Sequence, residues 1–269
     1  MPAIDWPNLA MWTAISISAG LIIYHGVASY YYVKYYILRK EDAENWKCQP
    51  KRFLPKRLHR RSILLSTFNM IVGGLITGPL LYGIAHGMQT PIYFSVSDYG
   101  WTYTILSTIG LFIILDGIAF YVHWGLHLPF FYKRFHRSHH SYVATTPFVT
   151  AAIHPAAFIA LQVATYIPLF IIPFHAVSIG LVLFYILVFN IIDHSGVSLK
   201  SHIPWQAASN YHDDHHALFH VNFGQHLMIF DRLHGTLRRE GRSYGVNTYG
   251  GKGIADKHES ELPPFFSYE

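Results

Sequence analysis

Long apolar segments alternate with short polar ones along most of this chain. A helix needs about 20 apolar residues to cross the hydrocarbon layer of a bilayer. Three uninterrupted runs of this kind lie at roughly 9–32, 62–86 and 100–124. A fourth apolar region, 156–192, is interrupted by Pro168 and Pro173 and is long enough for two antiparallel helices. The pattern predicts an all-α polytopic membrane protein with about four transmembrane helices.

The remaining residues, 195–269, are polar and rich in Gly, His and Arg. They contain no further span, so we expect short helices and loops that cap one end of the membrane helices, with a poorly ordered tail from Tyr244 onward. Within the second segment, Gly73, Gly74 and Gly78 predict close contact with neighbouring helices. We therefore expect a single membrane domain over residues 1–269.

Composition and charge support a membrane protein and argue against nucleic-acid binding. The chain is 51% hydrophobic and 13% charged, about half the usual charged share. The net charge of +5 comes with half of the twenty Lys and Arg between Lys34 and Arg61, without a phosphate loop or a nucleic-acid motif. The single cysteine, Cys48, excludes an intramolecular disulfide and thiolate-rich metal sites, and is expected to be inert.

Charge placement also predicts the topology. Cytosolic loops accumulate Lys and Arg, so the basic loop Lys34–Arg61 is expected in the cytosol. The loop 89–99 then lies on the opposite side, and it contains no Lys or Arg. The third span and the broken fourth region each return to the cytosolic side, where the histidine-rich part of the chain follows.

Three histidine clusters carry the candidate chemistry. Residues three and four apart share one face of a helix, and neutral imidazole is a good ligand for iron, copper and zinc. Eight imidazoles exceed what one ion can use, so the pattern predicts a dinuclear site in a cytosolic helical cap. His194, after the fourth apolar region, is a ninth candidate. The clusters are His123 and His127; His136, His139 and His140; and His212, His215 and His216.

The order and setting of these clusters resemble the fatty acid hydroxylase superfamily of membrane di-iron enzymes over roughly Leu115–Arg239. Flanking motifs extend the resemblance, and those after the second cluster are most similar to C-5 sterol desaturases. These motifs are Tyr132–His136, Thr146–Phe148 with His154–Pro155, Ile171–His175, Asn222–Gly224, Asp231–Arg232 and Gly235–Thr236. Two positions depart from the family pattern: Asn190 stands where some members have a histidine, and Phe230 replaces the usual Trp.

The resemblance implies a catalytic and metal-binding set of nine residues that hold two iron ions, with zinc an alternative occupant in purified protein. Dioxygen is the implied co-substrate, and the implied reaction removes hydrogen from a lipid C–H bond. The chain has no dinucleotide-binding fingerprint, so cytochrome b5 or an equivalent donor with an NAD(P)H reductase is implied, in the endoplasmic reticulum membrane. The nine residues are His123, His127, His136, His139, His140, His194, His212, His215 and His216.

Three functions remain open from the sequence. The motifs favour sterol C-5 desaturation, and the alternative is hydroxylation of a sterol, a fatty acyl chain or a terpenoid. A non-enzymatic metal carrier is a remote third reading, because transporters place their ligands near the middle of the bilayer. The basic loop could also dock an acidic electron carrier.

Several other polar residues have two possible roles. His154 is either a partner of the metal ligands or a helix-start residue. Five aspartates could orient imidazoles: Asp116, Asp193, Asp213, Asp214 and Asp231. Asp116 lies within an apolar span and must make a polar contact there. The remaining histidines are expected to be ordinary polar residues, with His220 and His226 the best candidates for exceptions; they are His25, His59, His86, His175, His202, His220, His226, His234 and His258.

Overall fold

The computed structural model describes residues 4–255, and most of them are helical. The α-helices are α1 (Trp6–Tyr31), α2 (Lys56–Ala85), α3 (Gly100–Leu126), α4 (Pro129–Phe131), α5 (Pro155–Tyr166), α6 (Ala176–Asp193), α7 (Asn210–Leu218) and α8 (Ile229–His234). Two π-helical turns cover Tyr32–Ile37 and Tyr132–His136, and short 3-10 helices cover Lys40–Asn45, Val96–Asp98 and Ile167–Phe170. A small antiparallel pair joins β1 (Arg242–Ser243) to β2 (Ile254–Ala255).

Four helical segments are long and apolar enough to cross a membrane, which confirms the predicted all-α membrane architecture. They are Trp6–Ile37, Lys56–Ala85, Gly100–Leu126 and Ala176–Asp193. The broken apolar region divides at its prolines: α5 continues as a 3-10 turn to Phe170 and is shorter than a full span, and α6 is the span that follows. The first two spans begin earlier in the chain than the apolar pattern indicated.

Contacts at the two ends of the bundle define which loops lie together. At one end, the Tyr93 N–H donates to the Phe174 carbonyl over 3.1 Å, and the Ala176 N–H donates to the Tyr93 carbonyl over 2.9 Å. At the other end, the Tyr36 hydroxyl lies 2.8 Å from the carbonyls of both Thr145 and Ser195. The loop between α2 and α3 is therefore opposite the histidine clusters, and the basic loop shares their end.

Glycines on α2 bring two neighbouring helices close. A Cβ at Gly74 would lie 2.6 Å from the Cα of Ile17 on α1, and a Cβ at Gly78 would lie 2.4 Å from the Cα of Thr13. Gly73 faces α5 instead, where a Cβ would lie 3.0 Å from the Gln162 side chain. The predicted close packing at these glycines is confirmed, and it explains how α1 and α2 form one tight hairpin.

Polar side chains on α2 hold the loop that follows the second histidine cluster. The Ser66 hydroxyl donates to the Phe148 carbonyl over 2.8 Å. The Asn69 amide donates to the Ala151 and Ile153 carbonyls over 2.7 and 2.9 Å. All three bonds are buried, where a carbonyl without a partner would be costly. The membrane hairpin therefore fixes the loop against the end of the bundle.

Two expectations about less regular parts of the chain can be compared with the structure. The segment from Tyr244, expected to be poorly ordered, folds back as far as Ala255 to pair with β1. His258 lies outside the described residues. Burial raises the pKa of the Cys48 thiol well above its usual value, which keeps it protonated and agrees with an inert cysteine.

The glycine contacts lead to a stability prediction. Gly74→Ala would force a methyl group against the α1 backbone, whereas Gly110→Ala meets nothing within 4 Å. We expect Gly74→Ala to destabilise the protein by about 1–3 kcal/mol, as overpacking does, and Gly110→Ala to leave the stability unchanged or raised. Thermal unfolding of both variants in one detergent measures this difference. Equal unfolding midpoints for the two variants would contradict the close contact between α1 and α2 at Gly74.

Candidate metal centre

The first two histidine clusters are brought together by the end of α3 and a sharp turn after it. His123 lies in the last turn of α3, and His127 is the residue that caps its C-terminus. Pro129 then begins a single helical turn, which continues as the π-helical turn that ends at His136. The extra width of a π-turn rotates the following residues, and such turns are frequent at functional sites.

The third cluster occupies α7, packed beside the end of α6. His212, His215 and His216 project from α7 into the same region, and His194 is the residue that caps the C-terminus of α6. All nine predicted ligands are buried, with at most 8% of any of them exposed. The structure therefore brings every histidine of the predicted set to one end of the bundle.

The imidazoles form two neighbouring groups, within each of which the candidate ligand atoms lie no more than 4.8 Å apart. The larger group is His123, His127, His136, His140 and His215, and the smaller is His139, His194 and His216. His212 stands beside the smaller group, with its Nε2 atom 2.9 Å from the Nε2 atom of His194. Two groups of nitrogen ligands agree with the prediction that the set could hold two ions.

Unpaired ring nitrogens show that this arrangement suits a metal. In the described part of the chain, buried nitrogens of five cluster residues have no hydrogen-bond partner: His136, His140, His212, His215 and His216. Buried polar atoms are normally paired, because leaving them without a partner is costly. In addition, the Nε2 atoms of His127 and His140 lie 3.2 Å apart. A separation of about 3 Å is expected of two imidazoles at right angles on one ion with bonds of about 2.1 Å.

Main-chain carbonyls orient several of these rings through Nδ1. The His123 ring lies 2.7 Å from the Phe223 carbonyl, and the His215 ring lies 2.6 Å from the Val221 carbonyl. An Nδ1–H donated to a carbonyl leaves Nε2 free with its lone pair available for a metal. The segment 221–223 therefore orients one ligand from α3 and one from α7.

Two more carbonyls act on the smaller group. The His194 ring lies 2.8 Å from the Asn190 carbonyl, and the His139 ring lies 3.4 Å from the Ala152 carbonyl. Asn190 thus supports His194 through its main chain, whichever residue type stands at that position. The Ala152 contact depends on the loop that α2 holds in place.

His220 supports His127 and departs from the ordinary role expected of it. Its Nε2 lies 2.9 Å from the Val246 carbonyl, so Nε2–H donates there and Nδ1 is left as an acceptor. The Nδ1 atoms of His127 and His220 are 2.9 Å apart. His127 therefore donates from Nδ1, and its Nε2 faces the other imidazoles. The position of His220 soon after the third cluster was the only sequence signal of this role.

Two buried aspartates contact the loop 221–227, called the closing loop, rather than an imidazole of the cluster. Asp231 accepts from the N–H groups of Phe223 and Gly224 over 2.9 and 2.7 Å, and from the hydroxyls of Thr236 and Tyr211. Asp116 accepts from the N–H groups of the next turn, His226 and Leu227, over 3.0 and 3.2 Å. The polar contact predicted for Asp116 within its span is confirmed.

Asp213, Asp214 and His154, for which the sequence left two interpretations open, have partners outside the imidazole cluster. Asp213 accepts from Gln49 and Thr145 over 2.9 and 3.2 Å, and Asp214 pairs with Arg238. His154 caps the start of α5, where its ring accepts from the Ala156 N–H over 3.2 Å, so the structure shows its helix-start role. Several of the remaining histidines also contact nearby helices or their own turn, namely His25, His59, His86, His175 and His234.

For the cluster histidines that lie outside the membrane spans, burial determines the protonation state. It lowers the pKa of His194 to about 4, and it lowers the pKa of six others well below the usual value: His136, His139, His140, His212, His215 and His216. These imidazoles are therefore neutral near pH 7, which is the form that binds metals.

Comparison with known proteins assigns the region that contains this site. Residues 108–236 match the fatty acid hydroxylase family. All nine clustered histidines, together with His220 and Asp116, lie within this matched region. The resemblance noted from the motifs is thereby confirmed.

The curated relatives include sterol-modifying proteins. The chain is 32% identical to a lathosterol oxidase of Rattus norvegicus over 64% of this chain and 59% of that one. It is 31% identical to a lathosterol oxidase of Homo sapiens over 52% and 48% of the two chains. It is also 32% identical to a Delta(7)-sterol 5(6)-desaturase of Aspergillus fumigatus over 64% and 51%. The chain thus spans about half the length of these relatives, and no solved structure matches it.

The His220 contact leads to a metal-retention prediction. His220→Ala removes the acceptor that fixes His127, and loss of such a partner costs about 10–100-fold in metal affinity. Metal content after dialysis against a graded series of chelator concentrations measures this. His202→Ala, at an exposed position, is the matched control and should retain metal like the unaltered protein. Equal retention by both variants would show that His220 does not support the centre.

Proposed function

We propose that this protein is a membrane di-iron oxidoreductase that uses dioxygen to desaturate a sterol at C-5. The observation that carries the proposal is the set of nine buried histidines with unpaired nitrogens at one end of a membrane helix bundle. Similarity to lathosterol oxidases and Delta(7)-sterol 5(6)-desaturases supplies the substrate class. The Δ7-sterol lathosterol is accordingly the first substrate to test.

The residues of the two groups fit two iron ions. His123, His127, His136, His140 and His215 would hold one, and His139, His194 and His216 the other, with His212 beside the second. Such ions supply reductive activation of dioxygen, which no amino-acid side chain provides. The chain's own part is to keep the imidazoles neutral, to fix their rings through carbonyls and His220, and to exclude bulk water by burial.

The stoichiometry of the reaction requires an electron donor. Removal of two hydrogens from a sterol supplies two electrons and two protons. Reduction of one dioxygen to two waters takes four of each, so two electrons and two protons must come from elsewhere. We propose cytochrome b5, or an equivalent carrier reduced through an NAD(P)H reductase, at the cytosolic face of the endoplasmic reticulum.

The basic loop offers a surface for this donor. Lys51 and Arg52 border a surface hollow of 380 Å³ that also contacts Ala217, the residue after the third histidine cluster. Gln49, in the same hollow, donates to Asp213 over 2.9 Å. The hollow therefore lies against α7 on the side away from the imidazoles, which gives an acidic carrier a short route to the metal centre.

Hydroxylation of a sterol, fatty acyl chain or terpenoid is the second candidate, and the family match favours it. The same centre serves either outcome, because both begin with removal of one hydrogen from the lipid. Removal of a second hydrogen gives an alkene and water, whereas transfer of an oxygen atom gives an alcohol. Both reactions consume two donor electrons, so the product distinguishes them.

A sterol profile tests the proposed reaction. Cells that lack sterol C-5 desaturase and express this chain should convert Δ7-sterols to 5,7-dienes, detected by mass spectrometry. His139→Ala should abolish the product, and so should His127→Ala and His215→Ala, because each removes a ligand from a buried site. His202→Ala should retain it. Normal expression with a new hydroxylated lipid and no diene would replace desaturation by hydroxylation.

Charge reversal tests the donor surface. The double variant Lys51→Glu with Arg52→Glu should raise the donor concentration for half-maximal rate about tenfold at low salt, with the rate at saturating donor unchanged. The double variant Lys200→Glu with Lys252→Glu changes the net charge equally at exposed positions outside the loop. Identical donor dependence in the two variants would place docking elsewhere.

A further inference from the structure

An arginine-rich surface lies where α2 enters the membrane. Arg57, Arg60 and Arg61 occupy the first two turns of this helix, and all three are exposed. They are three and four residues apart, so they share one face of the helix. α2 begins within the basic loop, which shares the end of the bundle that holds the histidine clusters. The arginines therefore stand at the bilayer surface on the side of the metal centre.

The three arginines border a surface hollow whose deeper part is apolar. The hollow has a volume of 440 Å³. The residues that line it are Arg57, Arg60, Arg61, Leu64 and Leu65. Leu64 is 61% exposed, and the same face of α2 continues with Phe68, which is 51% exposed. Cationic groups thus lie above a lipid-facing apolar stripe, in the order in which a membrane lipid presents its headgroup and its acyl chains.

The charges of this surface repel one another without compensation. Among residues 4–255, no carboxylate lines the hollow and none of its arginines forms an ion pair. Like charges four residues apart destabilise a helix, and cations near an N-terminus oppose the helix dipole. Both effects act here, since Lys56 precedes Arg60 by four residues, Arg57 precedes Arg61 by four, and the first turn of α2 contains no acidic residue. An anion bound at this face would relieve the repulsion.

We propose that this surface binds one phospholipid of net negative charge from the leaflet on the side of the metal centre. Its phosphate lies among the guanidinium groups, which form paired hydrogen bonds with phosphate oxygens. Its acyl chains follow Leu64 and Phe68 into the bilayer. A zwitterionic phospholipid fits less well, because its ammonium group adds a cation to a surface that is already cationic. A soluble phosphate ester lacks the apolar contact.

The position of the hollow connects the lipid to the loop that follows the second histidine cluster. Leu65, in the wall of the hollow, packs against the buried side chains of Tyr142, Val149 and Ala152. The Ala152 carbonyl in turn contacts the His139 ring. Relief of the repulsion at the start of α2 stabilises the helical turns that carry Leu65. The expected effects are therefore on lipid binding and on stability, and both are independent of the reaction proposed for the centre.

Native mass spectrometry of the full chain in a mild detergent measures the lipid preference. One phosphatidylserine should bind with a dissociation constant about tenfold below that of phosphatidylcholine with the same acyl chains. The arginine variant, which combines Arg57→Gln, Arg60→Gln and Arg61→Gln, should lose this preference. The matched control combines Lys40→Gln, Lys51→Gln and Arg52→Gln, removes the same charge from exposed positions elsewhere in the basic loop, and should keep the preference.

Thermal unfolding in nanodiscs distinguishes a lipid site from a purely structural role of the arginines. Phosphatidylserine, compared with phosphatidylcholine, should raise the unfolding midpoint of the unaltered protein and leave that of the arginine variant unchanged. In phosphatidylcholine the arginine variant should unfold at the same or a higher temperature, because the repulsion at the start of α2 is removed. An equal loss of midpoint by the variant in both lipids would assign the arginines to the fold and overturn the lipid site.

The binding experiment has three further outcomes that would overturn the site. The first is equal affinity for phosphatidylserine and phosphatidylcholine, or an unchanged preference in the arginine variant. The second is loss of the preference in the matched control, which would assign it to the overall charge of the basic loop. The third is displacement of phosphatidylserine by glycerophosphoserine, the headgroup without chains, at the same concentration as by phosphatidylserine itself. That result would identify a site for soluble phosphate esters.

Discussion

The cost of burying nine imidazoles in one place governs the rest of this structure. Each ring has two nitrogens, and in a dry interior each nitrogen needs a partner. Where the structure shows an outer partner, it is a main-chain carbonyl or His220, and the inner nitrogens face one another. Main-chain carbonyls therefore surround the cluster and orient its rings, and several ring nitrogens are left without a hydrogen-bond partner among the described residues.

The closing loop 221–227 joins most of these functions in one short segment. Its first part orients ligands through the carbonyls of Val221 and Phe223. Its last part places the buried ring of His226 against Phe112 on α3. Asp231 holds the loop near its middle, and Asp116, which lies inside a membrane span, holds its end. These two carboxyl groups therefore fix the loop, and with it the carbonyls that orient the rings, against α3 and α8.

The sequence predicted the features that depend on periodicity, and it missed those that depend on loop direction. The apolar runs predicted the spans, and helical spacing predicted which histidines share a face. Spacing could not show that Val246 fixes the ring of His220, because that contact requires the chain to return from 26 residues away. Five aspartates were candidates for orienting the clustered imidazoles, but main-chain carbonyls contact those rings instead. The direction of a carbonyl follows from the tertiary structure, which helical spacing does not reveal.

The hairpin of α1 and α2 lies before residue 108, where the match to the fatty acid hydroxylase family begins. Nevertheless, Tyr36 binds the carbonyls of Thr145 and Ser195, and Asn69 binds two carbonyls in the loop that carries Ala152. A fragment cut at the bounds of that family match, 108–236, would contain all nine clustered histidines and lack these anchors. The region that matches the family is therefore smaller than the set of residues that holds the histidine cluster in place.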